Sequence, residues 1–182
     1  MKAATVVVTL FLSAVQLSAQ GMMQRPGPGH ERAKLAFLTG TFATETHMPP
    51  SPMNPQEVVG KGTSTLRYGV DSMFILLDDQ LENPVLGKYK AHGVLGYDVQ
   101  HHRYTLAMFN NFGDAPHYTG VFNGDTLVLK ATLEYPGGSF DQKMDWYKEG
   151  SNVRLKVYND VGRGLTLVID QIATPVSTGT EK

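Results

Sequence analysis

Asn123-Gly124-Asp125-Thr126-Leu127-Val128-Leu129-Lys130-Ala131-Thr132-Leu133-Glu134-Tyr135 decides how this chain is built. Asn-Gly is a strong two-residue hairpin signal, because both positions tolerate the positive φ that such a turn demands. Beyond it, Leu127, Leu129, Ala131 and Leu133 fall on one face, and Val128, Lys130, Thr132 and Glu134 fall on the other. A period of two marks a strand with one face turned to a core. Residues 116–122 supply the hairpin's other arm.

The same period runs outward in both directions. Phe140, Gln142, Met144 and Trp146 alternate with Asp141, Lys143 and Asp145, and Val153, Leu155 and Val157 oppose Arg154 and Lys156. Leu165, Leu167 and Ile169 are expected to share a face against Thr166, Val168 and Asp170. Upstream, residues 41–47, 58–68, 72–81, 86–97 and 103–111 read as further strands, and Gly60 and Gly62 mark close backbone approach or a bend. The total is about ten strands with short turns, an all-β antiparallel up-and-down arrangement. The pattern fits a closed barrel and a two-sheet sandwich alike. Residues 30–38 read as one short helix, with Glu31 in its first turn and Gly40 at a left-handed C-cap. Too short to stand alone, it is expected to cap an open end of the barrel.

Residues 1–20 carry Lys2, an apolar run and a small-residue segment ending Ser18-Ala19-Gln20, the pattern of a secretory signal peptide. Residues 21–29 are expected to form a flexible mature N-terminus, residues 30–174 one domain, and residues 175–182 a flexible tail. The protein is expected to be exported, periplasmic or extracellular, with no membrane span after cleavage. It has no cysteine, so the domain must rest on packing alone. A formal net charge of −1 and the lack of a basic stretch give no footprint for nucleic acid.

The order His30, Leu35, Leu38, Gly40-Thr41-Phe42, then Gly60-Lys61-Gly62, then Gly93-Val94-Leu95-Gly96-Tyr97-Asp98 resembles the bacterial family called domain of unknown function 1579. The likeness runs over roughly residues 30–172, with Phe42 standing where that family usually has tryptophan. The resemblance implies a lipocalin-like, calycin-type β-barrel, often exported, with no established activity.

Candidate chemistry is sparse. Gly60-Lys61-Gly62-Thr63-Ser64 lacks the first glycine and the Ser/Thr after Gly-Lys that a phosphate loop needs. His101 and His102 are neighbours in a turn and cannot chelate one ion together. Asn110-Asn111-Phe112-Gly113-Asp114 has oxygens suited to calcium but lacks the alternating acidic ligands of a loop site and reads as a turn. No nucleophile elbow or zincin helix exists. No metal site and no cofactor are expected; haem held by His92 is the least unfavourable exception.

Mixed apolar and amide-bearing faces suit a ligand cavity, though ordinary core packing would claim the same residues. Tyr104, Met108, Met144 and Trp146 are expected to line it, with Asn110, Gln142 or His92 orienting a polar group. The partner expected is a small apolar or amphipathic molecule. One alternative is an isomerase or lyase using Asp79 and His92 as an acid–base pair, which requires the two to converge in one pocket. Another is an envelope interaction module acting through the proline-rich loop at residues 49–55.

Overall fold

A computed structural model describes residues 29–52, 54–85 and 87–176. The leader pattern, residues 21–28 of the expected N-terminal segment and residues 177–182 of the expected tail lie outside the described residues. A helical turn α1 (Gly29–Ala33) runs into a 3₁₀ turn (Lys34–Leu38). Ten strands follow: β1 (Gly40–Met48), β2 (Val58–Gly69), β3 (Phe74–Asn83), β4 (Gly87–Asp98), β5 (Arg103–Asn110), β6 (His117–Asn123), β7 (Thr126–Tyr135), β8 (Gly138–Glu149), β9 (Asn152–Asp160) and β10 (Thr166–Pro175). Each pairs antiparallel with its chain neighbour, and β1 pairs with β10 to close the barrel. The sandwich alternative is thereby excluded.

Alternation sets the interior. Leu127 and Leu129 on β7, Leu106 on β5, and Ile75 and Leu95 on β3 and β4 are fully buried. Glycines allow the wall to bend: a Cβ on Gly62 would run into the Gln80 carbonyl, and one on Gly120 into that of Val128. The face expected from Leu165, Leu167 and Ile169 is broken by a bulge between Leu167 and Ile169. Leu167 pairs with Tyr158, on the face opposite buried Val157, while Val168 and Ile169 both pack against the core. The extra residue shifts the strand's phase, which a strict period of two could not anticipate.

The helical segment plugs one end. Leu35 and Leu38 sink into the core beside buried Phe42. Instead of one helix ended by a left-handed Gly40, the chain tightens to 3₁₀ and stops at Thr39. Its N–H and hydroxyl both donate to the Ala36 carbonyl, at 3.1 and 2.8 Å. The Tyr104 hydroxyl donates to Glu31, at 2.8 Å to its carbonyl and 2.7 Å to Oε2. The Arg32 guanidinium lies over the Tyr68 ring and donates to the Ser72 carbonyl at 2.7 Å. Those contacts tie the plug to the β2–β3 turn and the start of β5, and Phe37 packs edge-on against Phe122 near the end of β6. The proline-rich loop and the β3–β4, β5–β6, β7–β8 and β9–β10 connections lie at the other end.

Candidate cavity of the barrel

Ten strands make a wider interior than eight, whose side chains alone can fill it. At the plugged end the difference is taken up by aromatic rings and by Leu35 and Leu38. Tyr104 packs edge-on against Tyr97 and Phe122 with centroids 5.0 and 5.2 Å apart. Toward the other end the inward side chains become shorter and more polar, and they leave a cavity of about 890 Å³. It reaches the surface among Gly113 to His117 of the β5–β6 loop and Glu134 and Tyr135 of the β7–β8 hairpin. A second space of about 30 Å³ lies below it, between Phe42, Leu66, Trp146 and Asp79.

Four of the residues expected to surround a ligand do line the large cavity: Met108, Asn110, Gln142 and Met144. Tyr104 and Trp146 point inward but sit too deep. Tyr104 is spent on the helical plug, and Trp146 borders only the small space. His92 is placed on the outer face. Its neighbours Ala91 and Gly93 turn inward, and its Nδ1 lies 2.7 Å from Asp78 Oδ1, with both side chains about half exposed. It therefore contributes nothing to the cavity wall, for haem or any other guest. Asp79 does line the cavity, so Asp79 and His92 lie on opposite faces of the sheet and do not converge.

The amides that reach the cavity are already engaged. Asn110 Oδ1 accepts from the Phe112 and Asp114 backbone N–H groups at 3.0 and 3.1 Å, and its Nδ2 donates to Asp114 Oδ2 at 3.0 Å. It shapes its own loop, as a turn-forming side chain does. Gln142 accepts from the Tyr118 hydroxyl at 2.6 Å and donates to Asn159 Oδ1 at 2.8 Å, forming a chain across β6, β8 and β9. Burial holds the Tyr118 phenol well above its ordinary range. The lining also includes Thr44, Thr46, Tyr89 and Gln171. Buried Thr46 donates to Gln171 Oε1 at 2.9 Å. Sequence reasoning missed these four, although Thr44 and Thr46 stand two and four residues after inward Phe42.

Asp79 borders both the large cavity and the small space. Ser64 faces the carboxylate and favours its charged form, while Oδ1 is buried with no hydrogen-bond partner. Burial pushes its pKa up to about 6, with the Asp78 charge adding to the effect against the opposing influence of Ser64. Among the described residues no three His, Asp or Glu side chains gather in a metal-holding set, and no helix is long and apolar enough to cross a membrane.

Fold and cavity together define the class: a closed up-and-down barrel, plugged at one end and hollow at the other. The chain belongs to the family described as Protein of unknown function (DUF1579), which matches residues 27–154. The matched stretch covers β1 to β8 and the first residues of β9, while β10 lies beyond it. No curated protein matches the chain.

Proposed function

We propose that this protein is an exported binder of a small amphipathic molecule held in the hollow half of the barrel. The cavity of about 890 Å³ carries the reading. It falls within the ~300–1,000 Å³ typical of small-molecule sites and, like them, sets a few polar groups among apolar walls. Met108, Met144, Leu155, Val157 and Ile169 supply the apolar surface, and methionine adapts readily to varied shapes. Export rests on the leader pattern of residues 1–20. An acid–base enzyme built on Asp79 and His92 has no geometric support, since the two face opposite ways.

Native mass spectrometry of the mature protein should reveal a co-purified small molecule. Independently, the neutral probe N-phenyl-1-naphthylamine should brighten on binding one-to-one, and Ile169→Trp, which narrows the cavity, should weaken it at least tenfold. A protein that carries no guest and leaves the probe's emission flat would sink the proposal.

A further inference from the structure

The cavity wall has a sign. Its lining includes three carboxylates, Asp79 at depth and Asp114 and Glu134 at the rim, and one imidazole, His117. Among the described residues, no lysine or arginine lines it. A long-chain acid entering head first would therefore meet no lysine or arginine to pair with its carboxylate.

Asp79 sharpens the argument, because it is placed by the fold and is incompletely satisfied. It stands on β3 between inward Leu77 and Leu81, and it borders both the large cavity and the small space beneath. Its Oδ1 takes no hydrogen bond, and a buried carboxylate without a partner is costly. The hydrogen bonds of nearby groups go elsewhere: Thr46 donates to Gln171 Oε1, and the Asn110 amide holds its own loop. A ligand that donates hydrogen bonds would complete the site from within the cavity.

We infer that the ligand is an amphiphile with an amine head, directed toward Asp79, and that the cavity discriminates against fatty-acid carboxylates. This inference rests on the small-molecule reading above and adds the charge of the guest to it. The acidic rim at Asp114 and Glu134 favours entry of the same cation before Asp79 receives it. Burial holds Asp79 up at about 6, so it is ionised at pH 8. Around it stand Ser64 on β2, Asp78 on the outer face of β3 and Tyr89 on β4, none of them a cation.

The test is displacement of N-phenyl-1-naphthylamine at pH 8 by three twelve-carbon chains differing only in the head: dodecylamine, dodecanol and dodecanoate. Dodecylamine should displace the probe at a concentration at least tenfold below that of dodecanoate, with dodecanol between them. Asp79→Asn, which keeps the shape and removes the charge, should shrink the amine–carboxylate gap below threefold. The wild-type comparison stands even if that variant folds poorly. Dodecanoate binding as well as the amine would overturn the inference while leaving the cavity's role intact. A gap unchanged in folded Asp79→Asn would remove Asp79 as the partner and overturn it too. Failure of the probe and all three chains to bind would remove the small-molecule reading itself, and the inference with it.

Discussion

The two ends of this barrel are made by the same strands under the same alternation, yet one is solid and the other hollow. At the solid end the inward positions carry Phe42, Leu66, Tyr104, Phe122, Leu127 and Trp146, and the helical plug adds Leu35 and Leu38. At the hollow end the same strands carry Thr44, Thr46, Asp79, Met108 and Gln142. The interior changes from rings to short or polar side chains within a few residues of each strand. Tight packing and open space are thus segregated along the barrel axis, so an alteration at one end need not disturb the other.

The sharpest way to break that contrast is to truncate one strand at both heights. Leu127→Ala, in fully buried surroundings, should cost about 3–5 kcal/mol in urea unfolding. Leu133→Ala on the same strand, beside the cavity, should cost about 1 kcal/mol or less. Equal losses would mean that the hollow end is packed as tightly as the plugged one.

Asp79 gives the next largest effect, and it depends on pH. Its folded pKa is raised to about 6 from 3.8, so its neutral form is favoured by folding. That contribution is fully present below about pH 4 and is lost as pH rises through 6. The wild type should therefore lose on the order of 2–3 kcal/mol between pH 4 and pH 8 relative to Asp79→Asn. Parallel pH–stability curves for the two proteins would show that the carboxylate is better solvated than its surroundings imply.

A smaller effect is expected at the plug. Tyr104→Phe deletes both hydroxyl bonds to Glu31 and should cost about 1–2 kcal/mol. Amide exchange should quicken over residues 31–38, while probe affinity in the cavity stays within twofold. A matching loss of affinity would show that the two ends are coupled. Smallest of all, Gly124→Ala in the β6–β7 turn, where φ is +60°, should cost about 1 kcal/mol without altering binding. A loss as large as that of Leu127→Ala would place that turn among the main determinants of the fold.

Whether a side chain faces in or out was largely legible in the sequence, because a strand's period of two is local. Met108, Gln142 and Met144 could be assigned to the interior on that ground, and His92 belonged outside by the same logic, between inward Ala91 and Gly93. Height along the axis was not legible. Tyr104 and Met108 share a face of one strand, yet four residues, roughly 13 Å of strand, separate the plug from the cavity. What occupies each level depends on partners far away in the chain: Tyr104 meets Glu31, and Thr46 meets Gln171. The bulge beside Val168 was hidden for another reason. An extra residue leaves the composition of a strand unchanged and shows only in its pairing.

The seam between β1 and β10 has a consequence for how the molecule comes into being. Phe42 lies opposite Pro175, and the Val176 amide donates to the Thr41 carbonyl at 2.8 Å, so the wall is completed by residues more than a hundred positions apart. Such a distant pairing is slow to find, since the loop must be closed before any contact rewards it. An emerging chain therefore stays unsealed until its final strand has been synthesised. Until then two strand edges are free to pair with other chains, which makes the wait before sealing the interval of greatest aggregation hazard.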